Sequence, residues 1–270
     1  GHDSDIQVLP HVPGHEFAGT VVEVGSAVTR IQVGDRVTVP FVCGCGNCRE
    51  CESGNAQVCP FQWQPGFNGL GCRFATAYGA LTKAATITAG DTVAVFGCGG
   101  VGLAAIMIAK SRGARVVAID KSNAALDRAT LAGADARLDA QYDEVLREVR
   151  TFGGEGVDVT VDALGSIDTA RIAIESLRRR GRHVQVGLLP PVEVGDRASV
   201  PMHLVIGREL EVVGSHGLAA AAYPQMLDDI TSGRLRPDTL VERVISLDQA
   251  PEALMTMATN PLPGVTIIAP

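Results

Sequence analysis

Residues 92–105, TVAVFGCGGVGLAA, lead a short apolar strand through a glycine-rich turn straight into a helix-length apolar run. Gly97, Gly99 and Gly102 fall at G-x-G-x-x-G spacing. The first permits a tight turn, the second lets backbone approach a pyrophosphate, and the third lets the helix close on the strand. The helix would open at Gly100 and Val101, where free amides and the dipole favour a diphosphate. A second strand, ARVVAID, ends at Asp120, about 20 residues on, the distance at which a carboxylate meets the adenosine ribose. Asp120, with Lys121 beside it, would accept the ribose hydroxyls and repel a 2'-phosphate, which predicts NAD over NADP. The competing reading is a set of glycines that merely packs a helix on a sheet.

Strand and helix keep alternating beyond this point. SNAALDRATLAG reads as a helix capped by Ser122 or Asn123 and stopped by Gly133, as Gly113 stops the one before it. ARLDA, VDVTVDAL, GRHVQVGLL and LEVVGS read as strands, with YDEVLREVRTF and IDTARIAIESLRRRG as helices between them. Arg178, Arg179 and Arg180 then precede Gly181 at a helix end, where cations suit the macrodipole. This is the pattern of a doubly wound parallel sheet in an α/β protein. In the tail, YPQMLDDITSGRL and APEALMTMATN are helical, and VERVISL and GVTIIAP are strands, the last returning to the first domain. His183 on an alternating strand reads as a packed or surface residue rather than a base, and Tyr142 and Tyr223 at helix starts read as packing residues.

The segment before Gly71 has a different texture. GTVVEVGSAV and VGDRVTVPF are short β runs broken by Gly, Asp and Ser, the mark of an irregular β domain. Into it is set Cys45-x2-Cys48-x2-Cys51-x7-Cys59, in a stretch too polar to order itself by apolar burial. Four thiolates this close can surround Zn²⁺ tetrahedrally, leaving no position for substrate. An iron–sulfur cluster, or an empty or disulfide-bonded site, is the alternative. Cys43 is a fifth thiol and a spectator, although a register that includes it stays open. His15 and Glu16 in PGHEFAG, and Cys72 in GLGCRF, would form a second metal site if imidazole and thiol met beside the nicotinamide end of the cofactor.

Composition narrows the function classes. The formal net charge is −7 and no basic run stands out, so nucleic acid and anionic membrane surfaces are not expected partners. No apolar run approaches the roughly 18 residues of a transmembrane helix, and GHDSDIQVLP does not resemble a signal peptide. Seven cysteines, five of them between Cys43 and Cys59, fit a metal site in a reduced, cytoplasmic compartment better than a disulfide scaffold.

GHEFAGTVVEVG, the four-cysteine lobe, GCRFATAY, GCGGVG, the strand ending at Asp120 and GSHG follow one another as in the zinc-dependent medium-chain alcohol dehydrogenases, which the chain resembles over nearly its whole length. The resemblance implies a chaperonin-10-like irregular β-barrel domain with its zinc lobe (residues 1–73, lobe 43–59) and a Rossmann domain (74–217). A C-terminal segment (218–270) then returns in part to the catalytic domain. It implies NAD-dependent interconversion of an alcohol and its aldehyde or ketone, with one structural and one catalytic zinc. His15 and Cys72 become ligands of the catalytic zinc, with Glu16 orienting the site or entering the coordination sphere. Arg73 and Thr76 lie beside the nicotinamide or its ribose, and Ala163, Val186, Gly187 and Ser215 are cofactor neighbours. A homodimer or homotetramer is implied as well.

Two departures from the family matter. Its members carry, ahead of the position where this sequence opens, a segment with the first catalytic zinc ligand and the hydroxyl that starts the proton relay. They also carry a further stretch between the lobe and GCRFAT, where GFN at 66–68 here runs directly into Gly69. Either residues of the molecule are missing from this sequence, which the lack of an initiator Met and the sharp joins favour, or the protein is a trimmed relative. The trimmed reading leads to a non-catalytic or impaired protein that binds NAD and zinc. A zinc-independent reductase of the same superfamily is a third reading, disfavoured by the retained GHE and Cys72.

Overall fold

The computed structural model describes residues 16–62, 73–139, 142–189, 200–257 and 262–269. They divide into two compact units, Gly1–Cys72 with Gly217–Pro224, and Arg73–His216 with Gln225–Pro270.

In the smaller unit β1 (Ala18–Thr20) pairs antiparallel with β2 (Arg36–Thr38), Ala18 opposite Thr38 and Thr20 opposite Arg36. Val21 N donating to Asp35 O (2.9 Å) and Gly34 N donating to Val21 O (2.8 Å) extend the ladder towards the turn, where Gly34 takes φ +96°. The cysteine lobe holds one helical turn, α1 (Arg49–Glu52), which buries no residue.

The larger unit opens with α2 (Arg73–Gly79), wound on through Ala84 as a π turn. Then follow β3 (Thr92–Phe96), α3 (Gly100–Ser111), β4 (Arg115–Asp120), α4 (Asn123–Leu131), β5 (Ala136–Asp139) and α5 (Tyr142–Gly153). The second half runs β6 (Val157–Asp162), α6 (Ile167–Glu175), β7 (Leu177–Gln185), α7 (Met202–Arg208) and β8 (Glu211–Gly214). The strands form one parallel sheet in the order β5-β4-β3-β6-β7-β8. Strand order therefore reverses between β3 and β6, which opens a crevice outside their carboxyl ends, the usual place for a ligand in such a sheet. Every residue of β3 is buried, as expected when helices cover both faces. Phe96, Ile119, Val149, Ile174 and Leu177 belong to one continuous core.

Local chemistry explains the element ends. Ser122 caps α4 by accepting from Ala125 N (3.3 Å), and Ser166 caps α6 by accepting from Thr169 N (3.1 Å). Gly113 and Gly133 turn the chain after α3 and α4 at φ +82° and +107°.

The arginine run overturns one sequence expectation. Helix α6 stops at Glu175, Ser176 donates its hydroxyl back to Ile172 O (2.7 Å), and β7 begins at the fully buried Leu177. Arg178, Arg179 and Arg180 therefore lie in β7, not at a helix end, and Gly181 stops no helix. Val157 pairs with Leu177 but Val159 with Arg182, so residues between them bulge outward, with Arg180 at φ +58°. Burial of Leu177 overrides the helical preference of arginine. Helices α2 and α7 are further elements that the sequence pattern did not reveal.

Two more strands, β9 (Val241–Ser246) and β10 (Val265–Ala269), pair parallel to each other, with α8 (Tyr223–Thr231) before them and α9 (Ala250–Thr256) between. Residues 225–270 group with the larger unit. Tyr78 Oη donates to Asp229 Oδ2 (2.8 Å), and Arg128 donates to Thr239 O (3.1 Å) and Val241 O (3.3 Å). No helix among the described residues is long and apolar enough to cross a membrane.

Candidate functional site

The glycine turn is built by backbone approaches that no other residue allows. Gly97, at φ +90°, donates its amide to Ile119 O (2.8 Å). A Cβ on Gly102 would lie 1.8 Å from Gly97 O, so the first turn of α3 closes on the strand end only because position 102 has no side chain. Gly99 is the N-cap of α3. Its side makes no cap bond, no acidic residue stands in the first turn, and a Cβ there would meet nothing within 4 Å. The opening amides at Gly100 and Val101 thus face room for an anion.

Asp120 does more than the sequence suggested. Its Oδ2 accepts from Cys98 N (2.7 Å) and its Oδ1 from Ser122 N (2.8 Å), which ties the glycine turn to the end of β4. Each carboxylate oxygen retains a lone pair for a ribose hydroxyl. Asp120 and Lys121 line a cavity of about 480 Å³ together with Phe96, Gly97, Leu164 and Ser166. Its lining comes from the carboxyl ends of β3 and β4, the turn after β6, and helices α5 and α6, beside the reversal of strand order. Leu164, Ser166 and Thr169 were not singled out from the sequence; their signal was their position just past the fourth apolar strand.

The remaining predicted neighbours end adjacent strands. Ala163 N donates to Phe96 O (2.9 Å), Val186 N and Gly187 N both donate to Asp162 O (3.0 and 2.8 Å), and Ser215 N donates to Gln185 O (3.0 Å). None of these four lines the cavity. Arg73 opens α2, and Thr76 on the same helix is 7% exposed with its hydroxyl lacking a partner among the described residues. Burying a hydroxyl this way costs roughly 1–3 kcal/mol unless a ligand satisfies it. The free amides, the open space at Gly99, the cavity beside Asp120 and this orphaned hydroxyl fit a dinucleotide.

The metal lobe is equally specific. The sulfurs of Cys45, Cys48, Cys51 and Cys59 all lie within 4.8 Å of one another, without Cys43 in the group. Cys48 and Cys59 are 3.7 Å apart, against about 3.8 Å for the edge of a zinc–thiolate tetrahedron. Cys59 is fully buried, and its sulfur accepts amides from Cys45 (3.4 Å) and Phe61 (3.3 Å). The Cys45 amide is the main cause of a thiol pKa lowered to about 7. Cys51 goes the other way. The Gly46 amide lowers its pKa, but desolvation and the neighbouring Cys48 and Cys59 sulfurs outweigh that and push it up to about 11. Crowded thiols that resist shared ionisation are the donor set that a dication stabilises. Gly44 makes room for them: a Cβ there would be 2.7 Å from Cys51 Sγ.

Of the second metal site, Glu16 is described and exposed, whereas His15 and Cys72 lie outside the described residues.

Comparison with known proteins also gives two parts, which meet near residue 99. The family profile described as zinc-binding dehydrogenase matches residues 100–232, and that of the alcohol dehydrogenase GroES-like domain matches residues 2–98. An alcohol dehydrogenase of Geobacillus stearothermophilus is 34% identical over 236 residues, covering 77% of this chain and 68% of that protein. The S-(hydroxymethyl)glutathione dehydrogenase of Escherichia coli O157:H7 is 29% identical over 306 aligned positions, covering 93% of this chain and 82% of that protein. A solved NAD-dependent alcohol dehydrogenase superposes with a TM-score of 0.86 at 26% identity, over 97% of this chain and 84% of its own. With a GroES-like unit ahead of a Rossmann unit and four cysteines gathered in the first, the chain belongs to the zinc-binding medium-chain dehydrogenase/reductase family and is an oxidoreductase of that superfamily.

Proposed function

We propose that this protein interconverts a small alcohol and its aldehyde or ketone, with NAD as hydride carrier. The observation that carries the reading is Asp120 bridging the glycine turn and the cavity, which supports a carboxylate contact to the adenosine ribose that would repel a 2'-phosphate. Residues 1–73 carry both metal sites and residues 74–217 the dinucleotide. The amides at the start of α3 hold the diphosphate, and the Thr76 hydroxyl gains its missing partner at the nicotinamide half. Cys45, Cys48, Cys51 and Cys59 hold a closed zinc that orders the lobe, and His15, Glu16 and Cys72 hold a second. When bound, NAD supplies the hydride acceptor and the second zinc a Lewis acid towards the substrate oxygen. We assign the protein to the cytoplasm as a homodimer or homotetramer, with small-molecule partners and no nucleic acid, in keeping with its net charge of −7.

The test combines zinc analysis with NADH formation at 340 nm from a panel of primary and secondary alcohols. Two zincs per chain and turnover support the proposal; one zinc, lost with the lobe cysteines, and no turnover overturn it. That second outcome is the one expected of a non-catalytic relative binding NAD and zinc. One observation favours it: the E. coli relative aligns over 306 positions against 270 residues here, so it carries segments with no counterpart in this chain.

A further inference from the structure

Beneath one wall of the cavity runs a buried polar chain. Strands β6 and β7 set Thr160 opposite His183 and Asp162 opposite Gln185. Thr160 and Asp162 are 0% exposed and His183 1%. Thr160 Oγ1 lies 2.9 Å from His183 Nδ1, and His183 Nε2 lies 3.1 Å from Gln185 Oε1. Gln185 Nε2 donates to Asp162 Oδ2 (2.9 Å) and to Gly187 O (2.8 Å). Asp162 Oδ1 accepts the amides of Leu164 (2.9 Å) and Gly165 (2.8 Å).

The carboxylate sets the direction of every bond. Asp162 accepts at both oxygens, from Gln185 Nε2 and from two backbone amides, so the Gln185 amide group presents its NH₂ to it and its oxygen to His183. His183 Nε2 then carries the proton, Nδ1 is an acceptor, and Thr160 donates. The imidazole is neutral, in keeping with burial that pushes its pKa down. The chain ends on the turn that supplies Leu164 and Ser166 to the cavity. That turn is locked to the next one as well. A Cβ on Gly187 would lie 2.2 Å from Gly165 N, and one on Gly165 would lie 2.2 Å from Leu188 O.

The geometry points to Asp162, Gln185 and His183 as positioning residues that hold the turn after β6 against the adenosine half of the dinucleotide. This rests on the dinucleotide reading above. None of the three lines the cavity, so they act through the Leu164 and Gly165 amides.

Gln185→Met keeps the volume and removes both ends of the amide. It should raise the NADH dissociation constant about tenfold, the equivalent of one buried hydrogen bond. It should also speed amide hydrogen exchange at Leu164 and Gly165, leaving kcat at saturating NAD within about twofold. Gln185→Glu alone sets two buried carboxylates face to face and should be worse, about thirtyfold in dissociation constant. Adding Asp162→Asn restores a donor between them and should recover the dissociation constant to within about threefold of the unmodified protein, with exchange protection returning. A merely structural role would lower the melting temperature without raising the dissociation constant or the exchange rate at Leu164 and Gly165. If Gln185→Met does not fold, Thr160→Val removes only the far donor and should raise the dissociation constant about threefold. A constant for Gln185→Met within twofold of the unmodified protein, or a double variant no better than Gln185→Glu, would overturn the proposal alone. Absence of NADH binding by the unmodified protein would overturn the dinucleotide reading and the proposal with it.

Discussion

From Thr92 to Phe96 every side chain is buried, whereas α1 in the cysteine lobe buries none, and Val58 and Phe61 beside it are 47% and 72% exposed. The parallel sheet is held by apolar burial between layers of helices. The lobe has almost no such burial, and its one fully enclosed cysteine is wrapped by amides that favour a thiolate. One chain thus orders two regions by unrelated physics, so that each should fail under a treatment the other survives.

The largest effect is expected where the sheet tolerates no added atom. Gly102→Val drives a side chain into Gly97 O; it should cost about 4 kcal/mol or more of stability and abolish measurable NADH binding, read by thermal melting and fluorescence titration. Lobe cysteines should keep their zinc in whatever fraction folds. The counterpart in the lobe is Cys59→Ser, which removes the buried ligand. Zinc affinity in competition with a chromogenic chelator should fall at least about 100-fold while NADH affinity stays within twofold.

Asp158 holds the sheet by polar contacts that involve no metal. It accepts from Thr92 N (2.7 Å) and Thr92 Oγ1 (2.6 Å) and pairs with Arg178. Burial alone would raise its pKa, but the Thr92 hydrogen bonds and Arg178 outweigh it and hold the carboxyl below its ordinary value. A depressed folded pKa contributes stability that is full above the unfolded value of about 3.9 and lost as pH falls through the folded pKa. Asp158→Ala should cost about 2 kcal/mol at neutral pH and flatten the loss of melting temperature between about pH 5 and pH 3. The smallest effect is expected from Gly44→Ala. Its methyl displaces Cys51 Sγ, and zinc affinity should drop about tenfold with the sheet's melting transition unchanged.

What was legible in the sequence follows the same division. Gly97, Gly99, Gly102 and the four lobe cysteines act through short spacings, so their geometry could be read from neighbours in the chain. Ser122, Gly113 and Gly133 were readable for the same reason. The clamp of Thr160, His183, Gln185 and Asp162 was not, because it exists only in the register of β6 against β7. His183 reads from the sequence as packed or at the surface; it is 1% exposed, and nothing local showed which of the two holds or what it packs against. The arginines at 178–180 misled because local preference favours a helix, while burial of Leu177 and the bulge against β6 decide for a strand. Leu164 and Ser166 escaped notice because the cavity wall is assembled from strand ends, a turn and two helices far apart in sequence.

The most direct test of the division is amide hydrogen exchange by mass spectrometry on the zinc-loaded and chelator-stripped protein. Peptides covering residues 43–62 should lose protection on zinc removal, while those covering 92–120 and 157–162 keep theirs to within about a factor of two, since their burial involves no metal. A lobe that stays protected without zinc, or a sheet that opens with it, would contradict the account.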